Sequence, residues 1–180
     1  MKKVKNMKKL IKLLPVVLIL TLFGCEKEAD LIISGNPLVE EYIFALKSNQ
    51  YDALDMPPLT YKEIPALLEY RNDTYVINTF PRNPISSYYQ RECTVGMVVI
   101  WTIESIRAVS VNSSSLFMRF PSQNPVLAFR NAPQLEFALS SASRKAAAKA
   151  YYDWWYNNKN KSYNRFKNQD PLKSTDYRWH

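Results

Sequence analysis

Two thiols, one imidazole and a few closely spaced charges are the groups in this 180-residue chain whose chemistry could go beyond packing. The imidazole is His180, with no second His and no carboxylate at ligand spacing. H-x-x-H, H-E-x-x-H and C-x-x-C are all missing from the sequence, so metal-assisted and His-based general-base chemistry lack their material. No catalytic residue, metal ligand or cofactor is assigned on this basis. Cys93 stands at the head of an apolar stretch. A helix N-terminus there would lower its thiol pKa; with no His nearby, a small buried hydrophobe is the simpler reading. Glu104 and Arg107, three apart on the polar edge of the same stretch, read as an i,i+3 ion pair, because charge in an apolar setting needs a partner. An unrecognised hydrolase built on Glu104 or Asp153 is the enzymatic alternative. Glu40 and Glu41 are adjacent, so they point to different faces of a helix and do not resemble the facing acids of a glycosidase.

Aromatic residues are in excess, with 12 Tyr, 8 Phe and 4 Trp. Tyr151, Tyr152, Trp154, Trp155 and Tyr156 fall within two helical turns. Consecutive positions point all round a helix, so one core cannot take all five. With Trp179 they form a candidate binding platform, since Trp and Tyr rings stack on sugars and anchor protein interfaces. The plainer reading has Tyr177 and Trp179 folding back to cover them.

The second thiol, Cys25, ends an apolar run, Leu13 to Phe23, that follows Lys2, Lys3, Lys5, Lys8, Lys9 and Lys12. Eleven or so apolar residues are too few for a spanning helix, which needs about 20, but they suit a cleaved export signal. Leu22-Phe23-Gly24-Cys25 resembles the lipobox of bacterial lipoproteins. The resemblance implies cleavage before Cys25 and acyl chains, palmitate among them, on Cys25. Several chains at about 0.8 kcal/mol per buried CH₂ hold a protein on a membrane. Glu26, Lys27, Glu28 and Asp30 read as a solvated tether; acidic residues in this place also resemble a surface-export signal of Bacteroidetes-type bacteria. The expected organisation is a signal peptide over 1–24, a lipidated tether over 25–35 and one globular domain over 36–180.

The formal charge of +8 is an effect of that signal. Of the 24 basic residues, six lysines lie before Cys25; 18 remain against 16 acidic ones. A nucleic-acid partner is therefore not indicated. With Cys25 acylated, Cys93 has no intramolecular disulfide partner. Only three glycines occur, and no Asn-Gly or Asp-Gly, which disfavours tight hairpins and favours helices joined by Pro-bearing loops.

Those helices would have to position the groups above. Asn36-Pro37 is an N-cap with Pro at the first position, and Leu38, Tyr42, Ala45 and Leu46 give a helix over Pro37 to Ser48. Thr60-Tyr61-Lys62-Glu63 is a capping box for a second helix, ending near Asn72-Asp73. Thr74 to Phe80 is a short strand or extended segment, and Pro81 and Pro84 keep the chain extended. Glu92 to Ala108 is apolar nearly all round. Its length favours a central helix, while its β-branched residues also permit strands and Gly96 weakens a helix. Leu116 to Phe120 is a short strand or irregular core segment. Ser141 to Asn158, with its Ala-rich middle, is the clearest helix. The fold class expected is mainly α, a compact domain of about four to six helices; the alternative is α+β with a few short strands.

Pro65-Ala66-Leu67-Leu68, Cys93-Thr94-Val95-Gly96, Trp101 to Arg107, Ala150 to Trp155 and Tyr177-Arg178-Trp179 together resemble an uncharacterised lipoprotein family of gut Bacteroidetes. That resemblance implies a mainly α domain, with HEAT-like helix pairs as one arrangement, and an outer-membrane lipoprotein, periplasm-facing or at the cell surface. The functional expectation is a non-enzymatic protein-binding or scaffolding module; the alternative is a surface glycan-binding lipoprotein. Partners are then the membrane, through Cys25, and an envelope protein or a glycan. Replacing Cys25 with Ala should abolish incorporation of a palmitate label and move the chain from the membrane to the soluble fraction. Continued labelling of the variant would defeat the lipobox reading.

Overall fold

The computed structural model describes residues 35–51 and 54–180. The export segment, Cys25 and nearly all of the tether lie outside the described residues. Asn36 caps the first helix, its side-chain oxygen accepting from the amides of Leu38 and Val39 at 3.1 and 3.3 Å. With Pro37 at the first position, α1 runs Pro37–Lys47 and buries Val39, Tyr42, Ile43 and Leu46. The capping box at Thr60 forms as expected: Glu63 accepts from the Thr60 amide at 2.7 Å, and Thr60 Oγ1 accepts from Lys62. A single 3₁₀ turn, Tyr61–Glu63, leads into α2, Ile64–Glu69. This helix stops short of Asn72-Asp73, in a turn where the Asp73 amide donates to the Tyr70 carbonyl.

Two further helices follow, α3 (Val95–Ser110) and α4 (Ser141–Tyr156). Nearly every residue of α3 is buried, which explains why its sequence has almost no polar face. It is the centre of the core, touching α1, α2 and α4. Each Val, Ile or Met so buried contributes roughly 1.5–3 kcal/mol relative to exposure. A smaller apolar cluster of Met56, Trp101 and Phe120 adjoins Trp179.

The mainly α expectation needs correction: helices predominate, but the described residues also form two antiparallel two-stranded sheets, so the class is α+β. β1 (Val76–Ile77) pairs with β2 (Cys93–Thr94), and β3 (Leu127–Phe129) with β4 (Tyr177–Trp179). Neither pair needs a tight hairpin. A long Pro-containing segment joins β1 to β2, and α4 intervenes between β3 and β4, so scarce glycine was no obstacle. A tight reversal, Phe117 to Phe120, places Met118 at φ 53°, in the left-handed region. The other three helices of the described residues, α1, α2 and α4, each pack on α3 rather than stacking as successive HEAT-like pairs. None of them is long and apolar enough to cross a membrane.

Gly96, a weakness in a helix by propensity, has a steric reason. Its amide donates to the Asp73 carbonyl at 2.9 Å. A Cβ at this position would meet the Arg71 carbonyl oxygen at 2.5 Å and that of Asp73 at 2.9 Å. Gly96→Ala must therefore push the turn after α2 away from α3, at a cost of about 1–3 kcal/mol. Thermal unfolding should show a drop in Tm of several degrees; an unchanged Tm would mean that the turn yields freely.

Candidate functional site

The buried charges form a closed circuit. Arg107 donates to both oxygens of Glu104, at 2.9 and 2.5 Å. The Tyr151 hydroxyl donates to Glu104 Oε2 at 2.6 Å, and Trp179 Nε1 donates to the Tyr151 hydroxyl at 2.8 Å. Burial opposes the charge on Arg107, but the Glu104 carboxylate outweighs it and keeps the guanidinium protonated. Burial first, and the Glu104 charge second, raise Tyr151 well above an ordinary phenol. The i,i+3 pair expected from sequence is thus present and ties α3 to α4 and β4. Asp153 holds Lys149 at 2.5 Å on the surface of α4. Neither Glu104 nor Asp153 lines either of the two hollows described below.

The six aromatic candidates separate. Tyr151 and Trp154 are buried, their rings 6.4 Å apart, and Trp154 packs on Phe166 at 5.3 Å. Trp155 is half-buried against Phe166 and Tyr163. Trp179 lies over Tyr151 with ring centroids 6.3 Å apart. Tyr152 and Tyr156 stack on one another at 4.3 Å on the outer side of α4. The tail does fold back, and the six rings do not share one face.

A concave surface lies elsewhere. A cleft of about 860 Å³ has Cys93, Met97, Val126, Leu127 and Ala138 at its base, Val76, Asn78 and Tyr88 to Glu92 on one side, and Leu139 and Arg144 on the other. A second hollow of about 540 Å³ lies between the turn Arg71 to Thr74 and the α4 residues Ser141, Arg144, Lys145, Lys149 and Tyr152. Thr94, Met97 and Arg144 line both, so the two adjoin and together make a grooved surface. Strand alternation aims it: Ile77 and Cys93 are buried beneath the β1–β2 ribbon, while Val76 stays exposed on its open face. Tyr89 is 74% exposed. Arg82 holds the wall in shape, donating to the carbonyls of Asn78 (2.7 Å), Gln90 (3.3 Å) and Arg91 (3.3 Å), with its guanidinium 4.1 Å from the Phe80 ring.

The chemistry of the groove is that of contact. Its carboxylates are Asp73, paired with Lys47 at 2.7 Å, and Glu92. Burial pushes the Cys93 thiol up to about 12, so at neutral pH it is protonated and behaves as the small hydrophobe expected. Burial, and the Arg178 charge after it, lower the His180 imidazole. His180 instead serves packing, 4.9 Å from the Phe137 ring, and its carbonyl accepts from the Gln123 amide at 2.8 Å. Among the described residues no group of three or more His, Cys, Asp or Glu is placed to hold a metal ion.

A model of a domain of unknown function (DUF4943) matches residues 34–180. The chain belongs to this family. No curated protein and no solved structure matches it. The DUF4943 match takes in every element described above, and with them both halves of the groove. That family is uncharacterised and carries no assigned activity.

Sequence reasoning missed Tyr88 to Arg91 as a wall because only the β1–β2 pairing brings them to Arg144. One signal was available: Arg144 and Lys145 stand near the start of α4, whose first turn has no acidic residue, against the helix dipole.

Two outcomes follow for the DUF4943 domain. Glu104→Ala strands Arg107 in the core and should cost about 3–5 kcal/mol in urea unfolding, whereas a loss under about 1 kcal/mol would show the circuit to be solvated. Cys93 adds a pH dependence. Well below pH 9, its ordinary pKa, the thiol is protonated whether folded or not, and stability is full. Between 9 and about 12 the unfolded chain loses the proton first, and stability falls by up to about 1.4 kcal/mol per pH unit. Cys93→Ala should lessen the fall in stability between pH 9 and 10, leaving the part that comes from tyrosines ionising in the unfolded chain; an identical slope would remove Cys93 as a source.

Proposed function

We propose that this chain is a lipid-anchored cell-envelope protein that binds a partner protein in its groove without catalysing a reaction on it. The observation that carries this reading is the groove itself. It is open, walled by exposed tyrosine, aliphatic, amide and guanidinium groups, and its carboxylates are Asp73, held by Lys47, and Glu92. The large apolar side chains Val76 and Leu139, 54% and 58% exposed, are available there for contact. The envelope location rests on the lipobox-like Cys25 and on the likeness to lipoproteins of gut Bacteroidetes, which agrees with an outer-membrane anchor, periplasm-facing or at the surface.

A second reading, a glycan-binding surface lipoprotein, has one observation in its favour. Tyr89 offers an exposed ring next to Asn78, Gln90 and Arg91, a combination that suits stacking on a sugar with hydrogen bonds to its hydroxyls.

A photo-cross-linking side chain placed at Leu139 in intact cells tests the first reading. Leu38, equally exposed at 57% but on α1 and outside the groove, is the control. A discrete protein adduct at Leu139 and none at Leu38 is expected. Equal adducts, or none at Leu139, would remove the groove as a protein-binding face. Retardation of the wild type, but not Tyr89→Ala, in gels containing soluble polysaccharide would favour the glycan reading instead.

A further inference from the structure

Four cations surround the groove without a carboxylate of their own. Among the described residues the ion pairs are Lys47–Asp73, Glu104–Arg107, Arg130–Asp170 and Lys149–Asp153. Arg71, Arg91, Arg144 and Lys145 belong to none of them, yet all four line the groove. The chain beyond its export signal is nearly balanced in charge, so this is a local excess. Two of the three guanidiniums are held in place by backbone carbonyls. Arg71 donates to the Leu68 carbonyl at 2.7 Å and lies 4.2 Å from the Tyr152 ring. Arg144 donates to the Leu139 carbonyl at 2.8 Å. Each uses one of its five donors in this way and keeps the rest for a ligand. Arg144 and Lys145 also sit near the positive end of α4, with no acid in the first turn to offset them. Such a placement costs helix stability, and local rules broken without local compensation point to function.

We propose that the groove takes an extended acidic segment of a partner protein. This rests on the protein-binding reading above and names the partner's chemistry. One aliphatic side chain of the segment would lie between Val76 and Leu139, and its carboxylates would meet Arg91, Arg144, Lys145 and Arg71 in turn. β1 has β2 on one side only, so its other edge can pair with an added strand, the mode by which extended peptides gain backbone hydrogen bonds. The aromatic rings argue against a glycan as occupant. Tyr152 is stacked between Arg71 and Tyr156, and Tyr88 packs on Phe137 at 4.7 Å. Of the groove's tyrosines only Tyr89 is widely exposed, and Arg82 already stands 5.6 Å from its ring.

The test uses the full chain in detergent micelles and three probes. The first is a fluorescent ten-residue peptide alternating Glu with Leu or Val, the second the same peptide with Lys for Glu, and the third polygalacturonate. Fluorescence anisotropy should show the acidic peptide binding and weakening with added salt, as screened charges do, and no binding of the lysine peptide. The double change Arg144→Glu and Lys145→Glu should weaken binding about tenfold or more. Lys145→Glu alone, at an exposed position, should weaken it with an unchanged Tm, should the double variant fold poorly. Equal binding of both peptides, no binding of either, or binding of polygalacturonate alone would overturn the proposal. Adducts at Leu139 without a preference for acidic peptide would reject the acidic class while leaving the groove as a protein-binding face. Loss of the Leu139 adduct would reject the groove reading itself.

Discussion

A carboxylate buried in an apolar helix must be answered from elsewhere, and that demand organises this protein. Glu104 sits inside α3, where an unpaired charge would cost several kcal/mol. Arg107 answers from the next turn, Tyr151 from α4, and Trp179 extends the chain of donors from β4. Three elements distant in sequence are thereby fixed at one point. Apolar contact alone would let α4 slide or rotate on α3; hydrogen bonds to one carboxylate do not. The register of α4 in turn decides which residues it presents at the groove, so the buried circuit and the exposed cations are two ends of one constraint.

A second constraint is the shortage of glycine. Where tight turns are scarce, sheets must be closed by long connections. The segment between β1 and β2 is such a connection, and Arg82 takes over the part that a ladder of hydrogen bonds would play, gathering three carbonyls from its two arms. A rigid wall results from a stretch without regular secondary structure. Gly96 is used where nothing else fits, at the close approach of α3 to the Arg71–Asp73 turn, which brings Arg71 to the other end of the groove.

Local features were legible in the sequence because local physics writes them. The caps at Asn36 and Thr60, the Ala-rich α4, the Glu104–Arg107 pair and the buried Cys93 all follow from near neighbours. β1 falls within Thr74 to Phe80, read as a strand or extended segment, but the other strands did not show: β3 is a three-residue segment following Pro125, and a strand that short has no periodicity to read. The aromatic cluster misled by quantity. Tyr151 and Trp154, three apart, turn inward together, whereas Tyr152 and Tyr156, four apart, turn outward together; composition gives the bulk of a side chain and not its direction. The groove was hidden for a related reason. Its two sides come from residues more than forty positions apart, and only the charges at the start of α4, set against its dipole, left a trace in the sequence.

The pairing of β3 with β4 has a kinetic side. It joins Leu127 to Trp179 across all of α4, whereas α2 and α3 meet over a much shorter stretch of chain. Loop-closure entropy grows with the length enclosed, and distant pairings form slowly. The α2–α3 contact is thus the natural nucleus, and the tail strand is the last piece to dock. By the same reasoning it is the first to lift. Each transient opening would uncover Tyr151 and the Glu104 circuit before any other part of the core, making the seam beneath Trp179 the place where hydrogen exchange enters the protein.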